Sequence, residues 1–295
     1  MVQEIDNQLL NIEVCPICAG KAQIVVTNSP YRIVQCKSCR FIYRSPKPKT
    51  DEVYEYYSSA QTSTHNVDRK LRQVQATQRL QRLCRKIDFN ALGSVLEVGC
   101  DDGLFLHTVN ERFPNIELFG IEPSQKRAES GRCLYSLQNV VATPFEKTNF
   151  NRTFDLIVAF HVLEHVTDPV KFLEKIRPLM KPDSFFCLEV PTVSLSRLDL
   201  PFGIKILAHG YTQSPEHLWL FVPETFRNLL ERCGFQIVFM KCVTFGVHPT
   251  VNSFVMGCMP WLFPLYGLMS DGILLPFNVT GNGLQVMAIV SRTDE

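Results

Sequence analysis

From Ser94 onward, short apolar runs alternate with amphipathic segments, and few folds are compatible with that pattern. Helix-like segments start near Gly103, Ser124 and Asp168. The apolar runs between and after them have the length and composition of buried strands, and they are Val95–Val98, Leu118–Ile121, Val140–Val141, Leu156–Phe160 and Phe185–Val190. Alternation of this kind predicts an α/β fold, in which helices cover both faces of a parallel sheet.

A further helix and two strands are predicted after these runs. Pro223–Cys233 has helical periodicity, and Gly234 follows it as a C-cap. Phe235–Met240 and Leu284–Ser291 have the composition of strands. They are predicted to be the last two strands.

Near its start the chain carries two Cys-x-x-Cys pairs, Cys15 with Cys18 and Cys36 with Cys39, separated by 17 residues. Each pair lets two thiolates converge on one ion, so two pairs at this separation predict a tetrahedral zinc site. Four thiolates leave no open coordination position, and the predicted zinc is therefore structural. A redox-active pair, or cysteines that are merely buried, are the alternatives.

Charge and cysteine content narrow the class of protein. The formal net charge is +1 and the pI about 7.5, so no global positive field recruits nucleic acid. Residues 1–14 are acidic and lack a basic start with an apolar run, which argues against a secretory signal. Eleven cysteines without such a signal indicate a reducing compartment, and we predict a cytoplasmic protein.

The chain is expected to have three parts. Residues 1–49 form the zinc ribbon, a unit predicted to be poor in strands. Residues 50–90 form a helical linker, and residues 91–295 form the main domain. The linker is basic, and a solvated helix face explains that charge more simply than RNA binding does.

A glycine-bearing loop follows the first predicted strand of the main domain. The segment 95–103 joins that strand to a helix through Gly99 and Gly103, which lets backbone amides approach a ligand. About 20 residues further on, Glu122 ends the next strand, where a carboxylate can accept hydrogen bonds from both hydroxyls of a ribose. Together these features predict a nucleotide site.

At these positions the sequence resembles the class I methyltransferases, and within them the group labelled methyltransferase type 23. The resemblance covers about residues 90–240, and it rests on the segments 97–103, 122, 154–157 and 161–169. It implies a Rossmann-like sheet, S-adenosylmethionine as the cofactor and methyl transfer as the reaction. The cysteine unit and the loop 99–103 are also similar to those of zinc-bearing sugar C-methyltransferases.

The resemblance further implies which residues touch the cofactor. Glu122 would hold the ribose hydroxyls, and His161 would lie beneath the sulfonium. The full predicted set is Glu97, Gly99, Asp101, Gly103, Glu122, Phe145, Glu146 and His161. The family loop usually reads Gly-x-Gly-x-Gly, whereas Asp101 stands here at the middle glycine. Aspartate adopts the left-handed conformation more readily than most residues, so we still expect binding.

The stretch 161–165 reads His-x-x-Glu-His, which has the spelling of an inverted zinc-protease motif. That motif lies within a helix, whereas this stretch follows a predicted strand, which argues against proteolysis. In a methyltransferase, Glu164 and His165 would line the acceptor pocket. One imidazole could act as a general base. A second possibility is that His161, Glu164 and His165 hold a divalent metal, as in quinone O-methyltransferases with a similar stretch. A third is that Glu164 and His165 only brace the next helix.

A second candidate segment, 209–219, bridges the fifth strand and the helix near Pro223. Its Tyr211 and His217 are predicted to face the acceptor. The resemblance favours His217, because members often carry a histidine before the corresponding helix. The plainer alternative is that His217 only satisfies loop carbonyls.

The predicted acceptor is a small, oxygen-bearing sugar, lipid or polyketide-type metabolite, methylated on oxygen or carbon. Residues 242–270 contain no Asp, Glu, Lys or Arg, and we expect the apolar segment 254–277 to form a lid, a dimer face or a membrane-surface contact. A hydrophobic or lipid-linked acceptor would suit it. The alternatives are an RNA methyltransferase whose ribbon grips RNA, which the near-neutral charge disfavours, and a non-enzymatic partner protein.

Overall fold

The structure is a computed structural model, and it describes residues 14–28, 31–45, 47–58, 69–192, 217–244 and 284–293. The α-helices of this part are α1 (Thr50–Ser58), α2 (Arg69–Cys84), α3 (Leu104–Arg112), α4 (Gln125–Tyr135), α5 (Pro169–Ile176) and α6 (Pro223–Arg232). The strands are β1 (Ala22–Asn28), β2 (Tyr31–Cys36), β3 (Ile42–Ser45), β4 (Ser94–Val98), β5 (Glu117–Glu122), β6 (Asn139–Ala142), β7 (Phe154–Phe160), β8 (Met180–Pro191), β9 (Trp219–Leu220), β10 (Phe235–Thr244) and β11 (Leu284–Arg292).

The larger sheet has the strand order β10-β11-β8-β7-β4-β5-β6. Strands β4 to β8 pair in parallel, whereas β11 runs antiparallel to both β8 and β10. The α/β prediction and the predicted strands are confirmed, with the added feature of an antiparallel edge. Because the chain order reverses between β4 and β7, a crevice is expected at the carboxyl ends of these two strands.

Hydrophobic cores fill both faces of this sheet. Every residue of β4 is buried, as expected for a strand covered on two sides. One core lies between the sheet and the C-terminal helices and includes Phe172 and Phe226, while the other contains Leu83 of α2 and Leu106 of α3. Gly234 has a φ of 78°, which agrees with its predicted role at the end of α6.

The smaller sheet, in the order β1-β2-β3-β9, contains the N-terminal cysteine unit. The expectation that this unit is poor in strands is wrong, because three of the four strands belong to it. The fourth, β9, comes from the main domain and pairs with β3 through Tyr43 and Trp219. Phe41 packs edge-on against Phe221 at 5.6 Å between ring centroids. The cysteine unit is therefore continuous with the main domain in both sheet and core.

Candidate cofactor and acceptor site

The four predicted zinc ligands lie together. Cys15 Sγ is 3.6 Å from Cys39 Sγ, and Cys18 Sγ is 3.5 Å from Cys36 Sγ. All four sulfur atoms lie within 4.8 Å of one another. Zinc–sulfur bonds of about 2.3 Å in a tetrahedron require sulfur atoms about 3.8 Å apart, so the four thiols fit a structural zinc ion.

The loop from β4 to α3 turns through left-handed residues. Gly99, Asp101 and Gly103 have φ angles of 74°, 51° and 76°. A Cβ added at Gly99 would lie 2.5 Å from Val162 Cγ2, and one at Gly103 would lie 2.4 Å from Leu137 Cδ1. Glycine is thus favoured at both positions, because its backbone adopts a positive φ without strain and a side chain there would displace Val162 or Leu137. Asp101 accepts the same conformation with a side chain, as predicted for aspartate.

Glu122 ends β5 and turns its carboxylate toward this loop. Its two oxygens accept hydrogen bonds from the backbone amides of Asp101 (3.0 Å) and Ser124 (2.9 Å). Burial raises the pKa of Glu122 to about 6, assisted by the charge of Asp101 and opposed by these hydrogen bonds. Each carboxylate oxygen keeps acceptor capacity, so the group can still receive ribose hydroxyls.

Glu97 lies inside β4 with one carboxylate oxygen unsatisfied. Its side chain is 5% exposed, and Oε2 has no hydrogen-bond partner among the described residues. Burial, together with the negative charges of Asp101, Asp102 and Glu122, raises its pKa well above the ordinary range. An unpaired buried acceptor is costly, and a cationic or hydrogen-bonding ligand group would satisfy it. The residues around the loop therefore fit a nucleoside that carries an ammonium group.

Phe145 and Glu146, which the family resemblance implies lie near the adenine, have different surroundings. Ala142 of β6 pairs with Glu122, so the loop after β6 lies at the same edge of the sheet. The ring of Phe145, however, is 4% exposed and packs against Phe172 at 5.1 Å. Its side chain thus belongs to the core, whereas Glu146 is exposed.

Helix α2 supplies two arginines that the sequence did not assign to the site. Arg72 contacts Asp101 (Nη2–Oδ2, 3.0 Å) and Asp102 (Nη2–Oδ1, 2.6 Å), and Arg79 Nε lies 3.2 Å from Glu189 Oε1. For these two side chains the expectation of a solvated basic face is wrong. They are seven residues apart, which is about two turns, so they lie on one face of the helix.

His161 lies between two buried carboxylates at the end of β7. Its φ is 56°, its Nδ1 is 3.1 Å from Glu164 Oε1, and its Nε2 is 3.2 Å from Glu189 Oε1. Removal from water disfavours the charged ring, but the hydrogen bonds to Glu164 and Glu189 outweigh this and raise the pKa of His161 to about 9. At neutral pH the ring is a cation that donates to both acids.

Glu189 was missed by the sequence analysis, although it is fully buried within the apolar strand β8. Burial favours its neutral form, but Arg79 and His161 prevail and lower its pKa to about 2. An acid inside an otherwise apolar run was the signal that could have identified it, since such charges are rarely buried without a partner.

Glu164, His165 and His217 form a second cluster, with ligand atoms within 4.8 Å of one another. Glu164 is fully buried, and its Oε2 has no hydrogen-bond partner in the described part of the chain. The rings of His165 and His217 lie 4.8 Å apart, and burial lowers the pKa of His217. The metal set suggested by the sequence therefore changes, because His217 replaces His161, whose two nitrogens already face carboxylates.

Strand β9 fixes His217 beside this cluster. Leu218 donates its backbone N–H to Glu164 O at 2.8 Å, and Trp219 Nε1 donates to Val166 O at 2.6 Å. The stretch 161–165 forms a turn after β7, so it lacks the helical context of a zinc protease. Tyr211 and the apolar segment 254–277 lie outside the described residues. Within the described ranges, no helix combines the length and the apolar character needed to cross a bilayer.

A parallel sheet with a glycine turn after one strand and an acid at the end of the next defines the class of Rossmann-like nucleotide-binding domains. Within that class, the chain belongs to a methyltransferase family, whose model, described as a methyltransferase domain, matches residues 65–239. The family expected from the sequence motifs is thereby confirmed.

The curated proteins and solved structures to which this chain is similar include methyltransferases. The ubiquinone biosynthesis O-methyltransferase of Rhodopseudomonas palustris (strain BisA53) is 33% identical over 144 residues, 43% of this chain and 53% of that protein. The human mitochondrial ubiquinone biosynthesis O-methyltransferase is 28% identical over 156 residues, 48% of this chain and 41% of that protein. The chain thus spans about half the length of these relatives.

The plantazolicin methyltransferase BamL, solved with a triazolic desmethylPZN analog and SAH, has a TM-score of 0.51 and 16% identity. The match covers 84% of this chain and 92% of that chain. At this identity the likeness supports the fold alone.

Proposed function

We propose that this chain is an S-adenosylmethionine-dependent methyltransferase that acts on a small-molecule acceptor. The observation that carries the proposal is the pairing of the Gly99–Gly103 turn with the buried carboxylate of Glu122. Membership of the methyltransferase family and the ubiquinone O-methyltransferase relatives support it. The relatives favour oxygen as the methylated atom, and a sugar, lipid or polyketide-type metabolite remains the proposed acceptor class.

The cofactor half of the site would hold the nucleoside through three groups. Glu122 would accept both ribose hydroxyls, and the unsatisfied Oε2 of Glu97 would face the ammonium of the methionine part. The backbone amides of the loop after Gly99 would also face the bound nucleoside. When bound, S-adenosylmethionine supplies a methyl group on a cationic sulfur, and most of the acceleration then comes from alignment with the acceptor.

The acceptor half would orient an oxygen and remove its proton. We assign His161 to positioning, because both its nitrogens face carboxylates and a cation cannot act as a base. His217, whose pKa is lowered by burial, is the proposed general base. A divalent metal held by Glu164, His165 and His217 is the alternative, and the unsatisfied Glu164 Oε2 favours it. Metal titration followed by calorimetry distinguishes the two.

The N-terminal cysteines are proposed to hold a structural zinc ion. Their sulfur separations are close to those of a tetrahedral site, and Gly20 allows the two knuckles to approach, because a Cβ there would lie 2.6 Å from Ser38 Oγ. With four thiolates the ion would carry no substrate, so it would stabilise the ribbon only.

Calorimetric titration with S-adenosylhomocysteine tests the proposed function. We expect the wild-type protein to bind it, and Glu122→Ala to bind about 100-fold more weakly, since two charge-assisted hydrogen bonds are lost. Glu117→Ala is the matched control, because Glu117 is an exposed acid at the opposite end of β5. Absence of binding by the wild type, or equal loss in both variants, would overturn the proposal.

A further inference from the structure

We infer that Arg72 of α2 is a positioning residue that holds the cofactor loop closed by neutralising Asp101, the acid that stands where the family loop has a glycine. The inference rests on the proposed function, since its consequence is measured as cofactor affinity. It assigns a role in the site to a helix that lies before the first strand of the large sheet.

The geometry is a forked contact between one guanidinium and two neighbouring carboxylates. Arg72 Nη2 lies 3.0 Å from Asp101 Oδ2, and Arg72 Nη1 lies 3.0 Å from Asp102 Oδ2. Its Nη2 also approaches Asp102 Oδ1 at 2.6 Å. The side chain of Arg72 is 20% exposed, so solvent screens these charges less than at an open surface. A planar guanidinium suits such paired contacts, whereas lysine offers a single point charge.

The need for a cation here follows from the number of acids around the loop. Glu97, Asp101, Asp102 and Glu122 lie on one side of the crevice, and two of them are almost fully buried. Ionised acids repel one another more strongly where they are partly shielded from water, so Asp101, Asp102 and Glu122 favour a nearby cation. Arg127 also approaches Asp101, with Nε 3.4 Å from Oδ1. Arg72 contacts both loop aspartates.

Asp101 also links the side-chain contact to the proposed ribose site. Its backbone N–H donates to Glu122 Oε2, and its own φ of 51° lies in the left-handed region. Aspartate tolerates this region better than most non-glycine residues, and contacts from its side chain stabilise the conformation further. Arg72 holds that side chain, and through it the orientation of the amide that binds Glu122.

A double-mutant cycle tests the inference. S-adenosylhomocysteine affinity is measured by calorimetry for wild type, Arg72→Ala, Asp101→Gly and the double variant. We expect Arg72→Ala to weaken binding about tenfold in the wild-type background and by less than about twofold when residue 101 is glycine, because the side chain through which Arg72 holds the Glu122-binding amide is gone and only the contacts with Asp102 remain. Arg72→Lys should fall between wild type and Arg72→Ala. Gln81→Ala, an exposed position on the same helix, should leave the affinity unchanged.

The possible outcomes separate the inference from the proposed function. Wild-type binding with no loss in Arg72→Ala overturns the inference alone, and so does an equal loss in both backgrounds, because the helix would then act without Asp101. No binding by the wild type overturns the proposed function and the inference together. If Arg72→Ala does not fold, the comparison of Arg72→Lys in the two backgrounds takes its place, with the same criterion.

Discussion

The two halves of the crevice are held in different ways. On the cofactor side, the turn 99–103 and Glu122 belong to one strand–helix–strand unit and are joined by backbone hydrogen bonds. On the acceptor side, His161 contacts Glu189 from the next strand, and His217 comes from the segment just before β9, far along the chain. The first half is built from near neighbours in sequence, and the second from distant segments.

The difference extends to what supports each half. Strand β9 completes the sheet of the cysteine ribbon. Lys47, which follows the last ribbon strand β3, donates a hydrogen bond from its Nζ to Thr167 O at 2.9 Å. The ribbon is therefore placed to brace the acceptor side, whereas the cofactor side relies on the main sheet and on Arg72. We expect damage to the ribbon to affect the two halves unequally.

The largest effect is expected from loss of the proposed zinc ion. Cys36→Ser removes one of four thiolates, and structural zinc contributes about 10–16 kcal/mol in small zinc modules, so the ribbon should unfold. Trp219 packs on Phe41 and Tyr43. The chain has two tryptophans, so Trp261 is replaced by phenylalanine to isolate the fluorescence of Trp219, which should shift toward the red. Affinity for S-adenosylhomocysteine should change by less than about threefold, because the cofactor side and the ribbon share no strand in the described part of the chain.

Metal analysis and emission spectra check this expectation, with Cys133→Ser as the control, since Cys133 is an exposed thiol on α4. A variant that loses zinc while Trp219 emission stays unchanged would show that the ribbon does not brace β9. A parallel loss of cofactor affinity would remove the asymmetry between the two halves.

A smaller effect is expected from breaking the buried ion pairs that His161 forms with Glu164 and Glu189 on the acceptor side. His161→Ala leaves Glu164 and Glu189 without their shared cation, and loss of one partner of a buried pair costs about 3–5 kcal/mol. The pKa of His161 is raised, so its contribution is complete below about pH 6.5 and is lost as the pH rises through about 9.

Chemical denaturation at about pH 7 and about pH 10 checks both statements. The difference between wild type and His161→Ala should shrink at the higher pH. His107→Ala is the control, because it loses only a ring contact with Tyr135 and a pair with the exposed Glu111, for which we expect about 1 kcal/mol or less. A destabilisation that is equal at both pH values would contradict the assigned protonation of His161.

The same contrast explains how much could be predicted from the sequence. The strands of the large sheet and the turn with Glu122 follow from local patterns, because apolar runs and glycines act on their own neighbours. The grouping of the four cysteines was predicted from their spacing alone. The family motif also led to Phe145, yet its ring is in the core, since a motif fixes a position in the chain and not the direction of a side chain.

Apart from His217, which was expected to face the acceptor, the contacts that join distant segments were not predicted. Arg72 and Arg79 looked like ordinary surface charges of a basic helix, because nothing nearby in sequence shows which acids they meet. Strand β9 has two residues, too few for a pattern, and it forms only where β3 offers a free edge. Such features depend on tertiary packing, which overrides local propensity.

The smallest effect, a change of affinity with pH, should be confined to the cofactor side. The carboxylate form of Glu122 is the one that accepts ribose hydroxyls, and its pKa is raised to about 6. S-adenosylhomocysteine affinity should therefore be constant above about pH 7 and fall about tenfold by about pH 5. Because its pKa is raised, Glu122 stabilises the fold below the ordinary pKa near 4.5, and this contribution is lost as the pH rises through about 6. Glu122 therefore does not cause unfolding on acidification.

Calorimetry on Glu122→Gln, which cannot titrate, should give weaker binding that no longer varies over this range. If the glutamine variant shows the same decline as the wild type, another group controls the affinity and the ribose contact of Glu122 is not the titrating one.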